Sequence, residues 1–122
     1  MSQLPIKVMV HTQGYQLIVL QPQGRLDLQR CPILEKQMIS LVPGHHNLLV
    51  IDLEQVNFMD SYGLVTLIKG LKAARVSRCR LVLCNLQASV RLVFELTQMD
   101  SVFEIFESYD AVMTTVDNLV AA

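Results

Sequence analysis

The 122-residue sequence predicts an α/β domain: a mixed β-sheet that opens with an antiparallel hairpin and is covered by helices, in the order ββαβαβα with a short tail strand and helix. Three observations carry this prediction. Apolar and polar residues alternate with period two near the N-terminus. Residues 47–53 and 80–84 are runs too continuously apolar for a sheet with one wet face. Between and after these runs, apolar residues recur at helical spacing.

Taken in order, Ile6, Val8 and Val10 alternate with Lys7, Met9 and His11, as in a half-buried strand. Residues 15–20 form a second strand, and the short link through Gly14 favours an antiparallel hairpin closed by Pro22 and Gly24. A helix follows, beginning between Asp27 and Cys31, because Pro32 is tolerated only in a first turn. It carries Leu34, Met38, Leu41 and Val42 on one face and stops at Pro43 and Gly44. The run 47–53 is then a central strand. Residues 62–76 place Leu64, Leu67, Ile68 and Leu71 on one helical face and leave Lys69 and Lys72 to solvent. The strand 80–84 ends at Asn85, and a helix over 88–98 has Val90, Val93, Phe94 and Thr97 in register. The tail holds a short apolar piece, 102–106, and a closing helix, 109–120. Leu49, Ile51, Leu67, Leu71, Val82 and Phe94 are expected to share one core.

Length and composition favour one domain over residues 1–122, with enough apolar side chain, 52%, to fold without staples. Ten basic against eleven acidic residues, with no basic block, argue against nucleic acid as a partner. The richest apolar run is interrupted by Asp52 and is far too short to cross a bilayer, so no membrane association is expected. The opening residues lack a basic start and an apolar stretch, and a cytoplasmic location is expected. Cys31, Cys79 and Cys84 have no metal-ligand spacing; Cys79 and Cys84, five apart across a strand, should face opposite ways. They are expected to be reduced, packed thiols.

Three segments leave predicted strands and enter predicted helices, and such segments gather at one edge of an α/β sheet. They are residues 23–27, 57–61 and 85–87. Ser61 is placed to cap the second helix, accepting a backbone N–H, and Asp60 stands beside it. Gly63 follows closely enough for backbone to approach another molecule. Other constellations are poor. His45 and His46 are adjacent in a turn without a matching carboxylate or thiol, and His11 is an ordinary strand residue. No catalytic triad motif and no P-loop is present, so no enzyme and no cofactor is expected. Asp27, Asp52 and Asp60 converging on a divalent cation is the weakest alternative.

Gly24-Arg25-Leu26-Asp27, Val50-Ile51-Asp52-Leu53 and Phe58-Met59-Asp60-Ser61-Tyr62-Gly63-Leu64 resemble the motifs of STAS domains, the sulfate transporter and anti-sigma factor antagonist domains. The resemblance continues through residues 80–83, 96–99 and 103–106. It implies a STAS-like fold and, for the bacterial antagonists, a serine at the position of Ser61 that is phosphorylated by a partner acting as both anti-sigma factor and serine kinase. On that pattern the free form binds the partner, the phosphorylated form releases it, and a phosphatase resets the cycle; because the strand-to-helix segments should meet at one edge, the contact is expected at Gly24, Asp27, Asp60, Ser61, Tyr62 and Gly63. Two positions depart from the pattern: Tyr62 stands where many antagonists have a second small hydroxyl residue, and Arg25 where an acidic residue is frequent. The competing expectation is a sensor or scaffold of the same fold that binds a small molecule or nucleotide at this edge.

Overall fold

A computed structural model describes the backbone of residues 6–10, 15–41 and 47–121 and the side chains of residues 15–41 and 47–119. The expected hairpin is present: β1 (Ile6–Val10) pairs antiparallel with β2 (Gln16–Leu20), Ile6 opposite Leu20 and Val10 opposite Gln16. The alternation read at Ile6 to His11, the Gly14 turn, the stop at Pro43-Gly44 and the His45-His46 pair lie outside the described side chains or residues.

Next to β2, the strands β4 (Leu48–Asp52), β6 (Arg80–Cys84) and β7 (Glu104–Phe106) add in parallel, giving the order β1-β2-β4-β6-β7. Alternate side chains divide between two cores, as period-two geometry requires. Ile18, Leu20, Leu49, Ile51, Leu81 and Leu83 face a layer formed by α1 (Cys31–Leu41), α2 (Ser61–Val76) and α3 (Ala88–Leu96). Leu17, Val19, Leu48, Val50, Val82 and Cys84 face the other way, onto Val112 and Val116 of α4 (Tyr109–Ala121). Val82 is therefore not in the core of Leu49, Ile51, Leu67, Leu71 and Phe94, as the sequence led us to expect. A run buried on both faces does not reveal which face each residue takes; the register Val50 opposite Val82 decides it.

The tail piece 102–106 contains the edge strand β7, preceded by a 3-10 turn, Met99–Ser101; Arg80 fastens β7 to β6 by a two-pronged bond to the Glu104 carboxylate. Phe103 closes the first core with its ring edge-on to Phe94, centroids 5.5 Å apart. A larger difference lies in two segments read as loops. Gly24–Leu26 is a strand, β3, and Val56–Met59 another, β5; the two form a separate parallel pair outside the main sheet. Three or four residues are too few to leave a period-two signal.

Cys31 and Cys79 lie in the first core and Cys84 in the second, so the last two do face opposite ways, and all three are free and buried. Burial raises the pKa of each thiol, for Cys84 to about 12 with Asp52 and Glu54 adding to the effect. Two outcomes follow from this packing. Leu67→Ala or Phe94→Ala, each removing a fully buried side chain, should cost about 2–5 kcal/mol in urea unfolding. For the thiols, a raised folded pKa means stability that is complete below the ordinary value of 9.0 and is lost as pH rises through the folded value. The unfolding midpoint should thus fall above about pH 9, and at lower pH a thiol reagent should label only unfolded chain.

Candidate functional site

The pairing of β3 with β5 draws two of the three predicted segments into one surface. Gly24 lies opposite Val56, Arg25 opposite Phe58 and Leu26 opposite Met59, with an irregularity after Gly24. Gly24 itself has φ +81°, a left-handed conformation that strains other residues, and its N–H donates to the Gln55 carbonyl at 2.9 Å. Leu26 is buried beneath, and its carbonyl accepts the Asp60 N–H at 3.3 Å, joining the end of β3 to the start of α2.

Asp27 turns the chain into α1. Its carboxylate accepts the N–H groups of Gln29 and Arg30 at 3.1 and 3.3 Å, and its carbonyl accepts the Cys31 N–H at 2.9 Å. Desolvation pushes the Asp27 carboxyl upward, but the Arg30 N–H, the Arg25 side chain and the Gln29 N–H outweigh it and hold the group below its ordinary value. The ion pair that helps is Arg25 Nε to Asp27 Oδ2, 3.4 Å.

At α2 the structure corrects the sequence reading. The cap is Asp60, not Ser61: its Oδ1 accepts the N–H groups of Tyr62 at 2.9 Å and Gly63 at 3.2 Å, while its backbone is extended. Ser61 is the first helical residue, exposed, with its hydroxyl outside the cap. Aspartate and serine cap comparably well, so adjacent candidates are separated only by where the backbone turns helical. Gly63 is also corrected. It is buried, and the close approach it permits is internal, since a Cβ there would sit 2.7 Å from the Leu26 carbonyl oxygen and 2.8 Å from Met59 Cγ.

Tyr62 is half exposed, at 52%, and forms one wall of a groove of ≈ 320 Å³ between α1 and α2. Leu28, Cys31, Pro32, Val65 and Thr66 supply most of the remaining lining, and Glu35, Lys36 and Lys69 the charged rim. Leu28 and Val65 are 60% and 48% exposed, and neither was singled out from the sequence. Only the packing of α1 beside α2 puts them next to Tyr62.

The third segment, 85–87, braces this surface from behind. Asn85, at φ +59°, donates to Asp52 Oδ1 at 3.1 Å, Gln87 donates to the Glu54 carbonyl at 2.8 Å, and Ser89 donates to the Asn57 carbonyl at 3.2 Å. Asp52, buried, also accepts from Gln21 and from the Glu54 N–H. Its carboxylate is spent on these bonds, and among the described residues no three His, Cys, Asp or Glu side chains gather as a metal site. No helix among those residues is long and apolar enough to cross a membrane.

The family model for the STAS domain matches residues 7–112. The chain belongs to the STAS domain family. It is 30% identical over 89 residues to BtrV of Bordetella bronchiseptica, a protein whose name proposes an anti-sigma factor antagonist; the match covers 73% of this chain and 77% of BtrV. Among solved structures, a protein from Thermotoga maritima, likewise described as an anti-sigma factor antagonist, superposes with a TM-score of 0.79 at 19% identity over 92% of this chain and 94% of its own. The anti-sigma factor antagonist SpoIIAA superposes in its unphosphorylated form with a TM-score of 0.72 at 17% identity, covering 93% of this chain and 97% of that one. The phosphorylated form of the Bacillus protein gives 0.65 at 18% identity over 91% and 99%. These structures share the STAS fold of this chain, including its mixed sheet.

The local geometry sets distinct costs at neighbouring positions. Asp60→Ala should cost about 0.5–2 kcal/mol through loss of the cap, Ser61→Ala should stay within about 0.5 kcal/mol, and Gly63→Ala should lose about 1–3 kcal/mol or more through overpacking. Chemical unfolding of the three variants checks that order.

Proposed function

We propose that this chain is an anti-sigma factor antagonist, a protein-binding regulator whose contact surface is the edge formed by Gly24, Asp27, Asp60, Ser61 and Tyr62, with Gly63 beneath them, and whose switch is phosphorylation of Ser61. The partner is an anti-sigma factor that is also the serine kinase, and a phosphatase restores the free form; the cycle runs in the cytoplasm and regulates transcription, with no catalysis by this chain. The observation that carries the proposal is the exposure of the Ser61 hydroxyl at the first position of α2, outside the cap and beside an apolar groove. The names of BtrV and the Thermotoga protein and the existence of SpoIIAA in two phosphorylation states support it.

A kinase needs a reachable hydroxyl, and a switch needs one whose modification leaves the fold standing. Ser61 meets both requirements because Asp60 already holds the first N–H groups of α2. A phosphate there adds about 1.5–2 negative charges. It cannot displace the cap without stranding the Asp60 carboxylate, so it projects into solvent, steadied by the helix dipole. A partner fitted to a neutral hydroxyl then meets a bulky dianion. Tyr62, half exposed beside the groove, is suited to anchor that partner, since a rigid aromatic side chain covers much area for little entropy.

Incubation of the purified chain with ATP and a lysate of its source cell, followed by mass spectrometry, should place phosphate on Ser61 and allow the responsible kinase to be isolated. Calorimetry with that kinase should then give tight binding for the unmodified chain and Ser61→Ala, and binding weaker by about tenfold or more for the phosphorylated chain. Ser61→Asp should fall between. Unfolding transitions of all forms should nearly coincide, and equal affinity across the series would leave Ser61 without a switching role.

A further inference from the structure

We infer that this surface selects a partner bearing acidic side chains, and that Arg25 is the specificity-determining residue that reads them. The inference rests on the reading of the Ser61 edge as a partner surface and adds its charge preference. Arg25 lies on the outer side of the β3–β5 pair, one residue from Leu26, whose carbonyl holds the Asp60 N–H. Its side chain is 58% exposed, yet it is held at two points: the guanidinium carbon lies 4.0 Å from the centroid of the Phe58 ring, and Nε faces Asp27. A guanidinium held over a ring and by its Nε in this way keeps its two terminal nitrogens for bidentate contact with a carboxylate. The terminal nitrogens make no hydrogen bond among the described residues. Much of the ordering cost of a long side chain is thus met before a partner arrives.

The carboxylates of the surface are committed to its own structure. Each of its carboxylates is already engaged: Asp27 by two N–H groups and Arg25, Asp60 by the start of α2, and Glu35 by Lys69 at 3.3 Å. Lys36, on the groove rim, makes no ion pair among the described residues, and Arg25, although paired with Asp27 through Nε, keeps its terminal nitrogens open to a second carboxylate. An acidic partner takes up these open donors, and a phosphate on Ser61 both competes for them and repels the partner's carboxylates.

The test measures binding of the full chain to the serine kinase isolated through Ser61 phosphorylation, over a range of salt concentrations. Arg25→Glu should weaken binding by about tenfold or more, chiefly through slower association and with a flatter salt dependence. Arg25→Lys should lie between, because an ammonium keeps the charge but not the planar stack. Arg78→Glu makes the same charge change at the opposite edge, beyond the C-terminus of α2, and should bind as the parent does. Reversing one carboxylate of the kinase to arginine should rescue Arg25→Glu, which separates recognition from misfolding, as does an unchanged unfolding transition. Parent-like binding by Arg25→Glu, or equal weakening by Arg78→Glu, overturns the inference. Running Ser61→Asp alongside separates the two readings: if it alone loses binding, the switch stands and the selector falls, whereas if Arg25→Glu alone loses binding, the selector stands without the switch.

Discussion

Everything in this molecule follows from the need to bury both faces of the three inner strands, β2, β4 and β6. Their side chains are apolar on both sides, so no arrangement with a wet face is stable. Three helices cover one face and α4 covers the other. Parallel pairing of β2, β4 and β6 in turn sends the chain from the same end of each strand toward a helix on the first face. The segments that could carry function are thereby brought to a single edge by the demands of the core.

That edge is built so that its chemistry is decoupled from its mechanics. Leu26, Met59 and Gly63 pack where there is no room for an added Cβ, and Asp60 ties the start of α2 with two hydrogen bonds. Behind them, Asp52 gathers the ends of β2 and β6 through Gln21 and Asn85. Ser61, Tyr62 and Arg25 stand on this base and contribute little to it, each being substantially exposed. A surface that changes its charge without unfolding, as proposed for Ser61, needs this division of labour.

The electrostatics follow the same division. Carboxylates at the edge are structural, engaged with backbone N–H groups or ion pairs, whereas Arg25 and Lys36 retain capacity for an outside group. A near-neutral chain overall, at a net charge of −1, can thus still offer open cationic donors at one edge. Net charge speaks for bulk behaviour, and recognition depends on which donors and acceptors are left open.

The sequence by itself determined the α/β class, the hairpin, the order of helices and strands and the segment Asp60-Ser61-Tyr62-Gly63, because each rests on local periodicity or on a motif carried by consecutive residues. Helix α2 begins one residue before its expected start and β6 falls where its apolar run does. The tertiary structure alone decided the rest. Val82 turned to the second core because strand register fixes faces, and β3 and β5 became strands because each finds its partner some thirty residues away. Asp60 rather than Ser61 became the cap because the bond from its N–H to Leu26 sets where the helix can begin. Leu28 and Val65 became a groove, and Arg25 and Phe58 a stacked pair, only when separate elements were laid side by side. Contacts between residues distant in the chain have no periodicity to betray them, and they exist only once the core has closed.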